Sequence, residues 1–139
     1  MGQSREIAER YFRNIELGDI PEALACLAPG AEFTNPLGAM PVPDGVQVML
    51  DGYVNAFPDN RFDVKNVVEA GDQVVMEGEW VGTHRGPLPL PDGSAVPATG
   101  RAVRSPFVTV FRISEGRIVS HRGYWDLASF LGQLGLGPK

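Results

Sequence analysis

Apolar residues recur at helical spacing near the start of the chain. Ile7, Tyr11 and Ile15 follow one another every four residues, which puts all three on one face of a helix. Ser4 is expected to cap this helix and Gly18 to end it. By the same criteria the chain is predicted to form helices over 4–17, 20–27, 44–56 with Asp44 as cap, and 127–134 with Asp126 as cap.

Much of the remaining chain alternates between apolar and polar residues, as half-buried strands do. Turn signals at Gly71-Asp72 and at Ser114-Glu115-Gly116 separate neighbouring strands. The predicted strands are 31–35, 61–69, 73–84, 102–113 and 117–125. Residues 85–101 are rich in proline and glycine, and this long stretch is either a lid over a site or a hairpin.

The order of these elements predicts the fold class. Helices gathered in the first half and strands in the second indicate an α+β protein. We expect a single domain over residues 1–139, since neither a repeat nor a linker divides the chain. In this domain a curved antiparallel sheet wraps around the N-terminal helices as a cone and encloses one cavity.

Strand alternation also predicts which side chains face the cavity. Glu77 and Glu79 mark one face of their strand as the outer one, and Arg104 and Arg112 do the same for the next strand. The inner faces are then Met76, Gly78, Trp80, Gly82 and His84; Val103, Ser105, Phe107, Thr109 and Phe111; and Val119, His121, Gly123 and Trp125. An apolar cavity with a few polar groups is typical of a small-molecule site.

The predicted outer face of the sheet is partly apolar. Val75, Val81, Val108 and Val110 lie on it. Because an open sheet face with such residues is often covered by a partner, we expect a homodimer.

Charge and composition limit the other partners. The formal net charge is −5 and there is no Lys/Arg run, so we expect neither nucleic acid nor a membrane as partner. No apolar run resembles a membrane span or a secretory signal, which favours a cytoplasmic protein. The single Cys26 excludes an internal disulfide and a Cys-cluster zinc site.

Several segments resemble the SnoaL-like polyketide cyclase family of the NTF2-like fold. They are GTHRG at 82–86, TGR at 99–101, FRISEGRIV at 111–119, YWD at 124–126 with the chain through 135, FPD at 57–59, and the opening helix. The resemblance covers nearly the whole chain. It implies the NTF2-like cone and a small apolar or aromatic, polyketide-like ligand.

The resemblance also implies a mechanism. In cyclases of this family a buried Asp removes an acidic proton next to a carbonyl, and the enolate closes a ring by aldol attack, without metal or cofactor. That Asp lies two residues after the position that His121 matches. In this chain the position is Gly123, so the family's base is absent.

Three residues are candidates for catalysis in its place. His121 lies mid-strand on the predicted inner face and titrates near neutral pH when unperturbed, so it can act as base or orient a carbonyl; its structural alternative is a core histidine. His84 lies at a strand end beside the long loop, where it borders a pocket or bonds a loop carbonyl. Asp126 is the third candidate, although it faces away from His121 and fits a helix cap better.

The predicted substrate-binding residues are mostly aromatic. Aromatic rings can stack on a planar ligand or form ordinary core, and polar groups can donate to a developing enolate. The set comprises Tyr11, Asn35, Tyr53, Trp80, Phe107, Thr109, Gly123 and Trp125. Two histidines without an acid on the same face do not make a metal site, so none is predicted.

Three functions are compatible with these residues. The favoured one is a cyclase or isomerase that removes a proton next to a carbonyl, with His121 as base. The alternative is a non-catalytic binding protein for a small apolar or aromatic ligand, because Gly123 leaves the base position empty. An epoxide-opening hydrolase of this fold is the least favoured function. Its chemistry requires an Asp–Arg–Asp arrangement, and the sequence does not place two Asp residues on the inner face.

Overall fold

The computed structural model describes residues 2–90 and 92–136. Its elements are α1 (Gln3–Leu17), α2 (Ile20–Ala25), β1 (Leu27–Asn35), β2 (Gly38–Ala39), α3 (Asp44–Ala56), β3 (Arg61–Ala70), β4 (Gln73–Thr83), β5 (Leu88–Pro89), β6 (Ala95–Val96), β7 (Ala102–Ser114), β8 (Arg117–Trp125) and α4 (Leu127–Gln133). Helices at both ends enclose a curved, mostly antiparallel sheet, which confirms the predicted α+β class.

Six strands form the main sheet, in the order β2-β1-β8-β7-β4-β3. Only β1 and β8 pair in parallel among the described strands; the other pairs are antiparallel. β5 and β6 form a separate two-stranded hairpin inside the loop predicted over 85–101. Leu88 and Val96 of this hairpin are buried, so the hairpin alternative describes this segment better than a lid.

Helix α1 buries the face that its spacing predicts. Ile7, Tyr11 and Ile15 are all buried, and Gly18 ends the helix in a left-handed conformation with φ 76°. The predicted cap is wrong, because α1 already begins at Gln3. Ser4 Oγ donates a hydrogen bond to the Gly71 carbonyl instead, which ties the helix to the turn between β3 and β4.

The second helix and the first strand have different bounds from the prediction. Helix α2 ends at Ala25, and β1 begins at Leu27, which pairs with Ile118 of β8. The register between β1 and β8 shifts between Leu27 and Glu32. Pro29 and Gly30, which were expected to precede the strand, lie within this irregular part of β1. At α3, Asp44 is the first helical residue and Pro43 the cap.

A β-bulge in the last hairpin corrects one predicted inner residue. Arg112 pairs with Ser120, but Ile113 pairs with Ile118, so Val119 is an extra residue in β8. A bulge reverses the alternation of faces on one side of it. Ile118 is therefore fully buried, whereas Val119, which simple alternation put inside, is half-buried.

Two groups of buried apolar residues make up the core. The larger joins α1 and α2 to the sheet, and the smaller gathers Phe57, the β5–β6 hairpin and α4. Trp80 and Trp125 pack against both groups. The cavity described next is lined by residues of both groups.

Candidate functional site

A cavity of about 130 Å³ lies inside the cone, between the helices and the concave face of the sheet. Its walls are mainly aromatic and aliphatic. The lining residues are Tyr11, Phe12, Ile15, Phe33, Asn35, Met49, Leu50, Tyr53, Val54, Asn60, Phe62, Trp80, Ser105, Phe107, Thr109, His121, Gly123, Trp125 and Phe130. All eight residues predicted to bind substrate are among them, as is His121.

His121 is held in a cage of aromatic rings. Its imidazole stacks on Phe33 with ring centroids 4.0 Å apart and planes inclined by 10°. Tyr11 and Phe111 meet the same ring edge-on, with ring centroids 5.6 and 5.3 Å from that of His121. With only 7% of the residue exposed, the imidazole is fixed in orientation and almost free of water.

This environment changes the acidity of His121. Burial lowers its pKa to about 4, because an apolar cage disfavours the imidazolium; the carbonyls of Thr34 and of His121 itself oppose the shift. The pKa of His121 therefore lies well below that of an unperturbed histidine, and the ring is neutral at pH 7. Nδ1 is buried without a hydrogen-bond partner among the described residues.

Gly123 makes room for this imidazole. A Cβ atom built on Gly123 lies 3.3 Å from His121 Cε1 and 3.7 Å from Asn35 Cβ. The first contact is close enough that the imidazole would have to move by a few tenths of an ångström. The ring of His121 thus occupies part of the space that a side chain at position 123 would need.

Two tyrosine hydroxyls also belong to the cavity wall. Burial raises the pKa of Tyr11 far above its ordinary value, and it raises the pKa of Tyr53 to about 12. Both hydroxyls consequently keep their protons at physiological pH and can donate hydrogen bonds. Thr109 and Ser105 add two buried hydroxyls from β7.

Asn35 is oriented by its own strand end. Its Oδ1 accepts a hydrogen bond of 2.8 Å from the Leu37 backbone N–H, and its Nδ2 lies 3.1 Å from Met49 Sδ. Since sulfur is a weak acceptor, the amide nitrogen can be recruited by a ligand at little cost.

His84 lies outside the cavity. It is fully buried beside Phe57, with ring centroids 5.4 Å apart. Its Nδ1 accepts from the Thr99 backbone N–H at 3.2 Å, and its backbone exchanges hydrogen bonds with Arg101 and Gly100. His84 therefore anchors the segment after the hairpin, although its ring bonds the backbone N–H and the hydroxyl of Thr99 and not the loop carbonyl that its structural alternative expected.

Asp126 also lies outside the cavity lining. Its Oδ1 accepts a hydrogen bond of 2.9 Å from the Ser129 backbone N–H, which caps α4. The side chain is exposed, as the helix-cap interpretation anticipated.

Asn60 is a polar cavity residue that sequence reasoning missed. It lies between the FPD turn and the start of β3, where neither helical spacing nor strand alternation assigns a face. It is 5% exposed, and its Oδ1 has no hydrogen-bond partner among the described residues. The only available signal was an amide residue directly after a turn motif.

The described residues 2–90 and 92–136 contain no group of three His, Cys, Asp or Glu that could hold a metal ion. In the same ranges, no helix is long and apolar enough to cross a membrane. Nor does any Asp, Glu, Lys or Arg of this part of the chain line the cavity, so His121 is its most basic group.

Solved structures share this fold over almost the whole chain. AclR from Streptomyces galilaeus, a candidate hydroxylase, superposes with a TM-score of 0.83 at 20% identity, covering 100% of this chain and 89% of its own. A candidate SnoaL-like polyketide cyclase from Jannaschia superposes with a TM-score of 0.82 at 24% identity, and the match covers 98% of this chain and 94% of the cyclase. IdmH from Streptomyces antibioticus, a candidate polyketide cyclase, superposes with a TM-score of 0.78 at 25% identity, and the match covers 96% of this chain and 99% of IdmH.

Sequence comparison agrees with the structural one. No curated protein sequence matches this chain significantly. The sequence model of the SnoaL-like domain does match, over residues 8–121. Because that match spans most of the chain, the protein belongs to the SnoaL-like family, as its motifs predicted.

Proposed function

We propose that this protein is a small-molecule cyclase or isomerase that removes a proton from a carbon next to a carbonyl, with His121 as the base. The observation that carries the proposal is the His121 imidazole, which is neutral, lines the cavity and leans over Gly123. The nitrogen replaces the carboxylate that family cyclases hold at the position of Gly123. The ligand would be small and apolar or aromatic.

The proposed reaction balances without a cofactor. The unprotonated ring nitrogen of His121 takes the α-proton, and the electron pair of the C–H bond becomes the enolate. The enolate carbon then forms a bond to a second carbonyl carbon, whose oxygen recovers the proton from the imidazolium. In an isomerisation, the proton returns to another carbon instead.

The cavity supports both charged partners of this step. A hydroxyl such as that of Tyr11, whose ring centroid is 5.6 Å from that of His121, can donate to the enolate oxygen. Imidazolium and enolate form together as an ion pair in an apolar site, where their attraction is strong. A base of about this strength is sufficient in enzymes that stabilise the enolate.

Proton exchange tests the proposal. The α-protons of a small β-keto ester should exchange with D2O faster in the presence of the protein than in buffer. His121→Phe retains an aromatic ring against Phe33 but has no base, and we expect it to lower the rate about 10²- to 10⁴-fold. Asn66→Leu, at an exposed position of β3 outside the cavity lining, is the matched control and should exchange like the unaltered protein.

The second candidate function is a non-catalytic binding protein. It is favoured by the absence of an acid from the described cavity lining and by the lowered basicity of His121. In that case an aromatic ligand would bind without any exchange of its acidic protons. A homodimer and a cytoplasmic location are part of either proposal.

A further inference from the structure

Asn60 presents a buried acceptor that the proposed reaction does not use. Its Nδ2 donates to the Phe57 carbonyl at 3.2 Å, whereas its Oδ1 is buried and has no partner in the part of the chain that the structure describes. An unpaired buried acceptor costs about 1–3 kcal/mol, so it calls for an explanation. Asn60 also lines the cavity, and a ligand with a hydrogen-bond donor would satisfy it after a small adjustment of the wall.

The turn that carries Asn60 is fixed from two sides. The Asn60 backbone N–H donates to the Phe57 carbonyl at 3.0 Å, which closes the turn. Asp59 next to it accepts two hydrogen bonds of 2.8 Å from Thr83, one from the backbone and one from the hydroxyl. Asn60 is therefore held at the wall before any ligand arrives.

The size of the cavity limits what can occupy it. Its volume of about 130 Å³ is close to that of an engineered cavity of about 150 Å³ that holds one benzene ring. Pockets for drug-sized ligands measure about 300–1,000 Å³. Three aromatic rings pack against one another in the wall, because Tyr53 meets Trp80 and Trp125 edge-on with ring centroids 6.4 and 6.5 Å apart.

We propose that the cavity takes a single-ring hydroxyketone, whose hydroxyl donates to Asn60 Oδ1 while its carbonyl lies at the His121 and Tyr11 side. Asn60 is then a specificity-determining residue. This inference rests on the proposed function, because it concerns the ligand of the same cavity. It narrows that ligand from a polyketide-like molecule of any size to one six-membered ring with a donor.

Binding of two matched ligands tests the role of Asn60. 4-Hydroxycyclohexanone and 4-methylcyclohexanone have the same size, and only the first has a donor. Both would be titrated into the protein while Trp80 and Trp125 fluorescence is followed. In Asn60→Leu, we expect the dissociation constant of 4-hydroxycyclohexanone, divided by that of 4-methylcyclohexanone, to rise at least tenfold. An unchanged ratio overturns the assignment.

The variant is designed to fold, since the Phe57 carbonyl keeps its bond from the Asn60 backbone N–H. If it does not fold, the side-chain amide resonances of Asn60 in the unaltered protein give the answer. They should shift with the hydroxyl ligand and not with the methyl ligand; equal shifts contradict the proposal.

A bicyclic hydroxyketone tests the size limit. We expect it to bind more weakly than the single-ring compound, and tighter binding would overturn the single-ring assignment. None of these readouts needs proton transfer. If the ratio of dissociation constants depends on Asn60 but no proton exchange is seen, only the proposed reaction is refuted. If protons exchange but Asn60→Leu leaves that ratio unchanged, only the role of Asn60 is refuted.

Discussion

His121 illustrates how its surroundings, more than its residue type, set what a side chain can do. As a free residue it would titrate near neutral pH, but three aromatic rings remove its water and keep it neutral. The same cage fixes the direction of its nitrogen atoms. A base prepared in this way accepts a proton only when a negative charge forms beside it.

The lowered pKa of His121 predicts a stability that depends on pH. In the unfolded chain the group has a pKa of 6.5, and in the folded protein a pKa of about 4. As the pH falls from 6.5 to 4, His121 becomes protonated in the unfolded chain but stays neutral in the folded protein. The folded state therefore loses stability relative to the unfolded chain. The free energy of unfolding should fall by about 3 kcal/mol from this group.

Urea unfolding at pH 7 and pH 4.5 measures this effect, with His121→Phe as the reference, because carboxylates titrate in both proteins. The unaltered protein should lose more stability than the variant over this interval. Equal losses would mean that His121 is solvated in the folded state.

Position 123 gives a second test at this scale. Gly123→Ala adds a Cβ at 3.3 Å from His121 Cε1, so the imidazole must move. We expect proton exchange to fall at least tenfold while the protein stays folded. Gly132→Ala in α4 is the matched control, since its Cβ meets nothing within 4 Å, and it should exchange normally. Normal exchange by Gly123→Ala would contradict the assigned position of the base.

At the scale of elements, helical spacing and strand alternation predicted most of the fold, whereas of the predicted N-caps only Asp126 was correct. The inner faces of β4 and β7 follow from Glu77 and Arg104, whose charges must face water. Alternation failed at Val119, because a bulge depends on how two strands pair and leaves no local signal. The two-residue strands β2, β5 and β6 were not delimited for a similar reason, since so few residues show no period.

Helix α4 carries the prediction that separates capping from catalysis for Asp126. Asp126→Ala removes the acceptor for the Ser129 N–H and should lower the free energy of unfolding by about 1 kcal/mol. Thermal unfolding measures this loss. The exchange rate should stay unchanged, and a large drop in rate with intact folding would return Asp126 to the catalytic candidates.

At the scale of the whole molecule, the family resemblance predicted the cone, and the strand faces predicted most of the polar cavity wall. Asn60 and Met49 could not be found in this way. Each enters the cavity through the packing of a turn or a helix against the sheet, and such packing joins residues far apart in the chain. The volume of about 130 Å³ likewise follows only from all the walls together.

The outer sheet face carries the prediction of a homodimer. Val75, Val81, Val108 and Val110 are each only half-buried in the single chain. We expect Val108→Glu to turn a dimer into a monomer, because it buries a charge at the centre of that face. Light scattering after gel filtration measures the mass. A monomeric unaltered protein at micromolar concentration would contradict the prediction.

The rate of α-proton exchange at pH 7.0 and at pH 5.5 tests the central claim most directly. A His121 base with a pKa of about 4 is neutral at both values, so the protein-dependent rate, corrected for buffer, should be nearly the same and should vanish in His121→Phe. A fall of about tenfold at pH 5.5 would indicate an ordinary, solvated histidine. That result, or exchange that survives His121→Phe, would contradict a desolvated imidazole as the base.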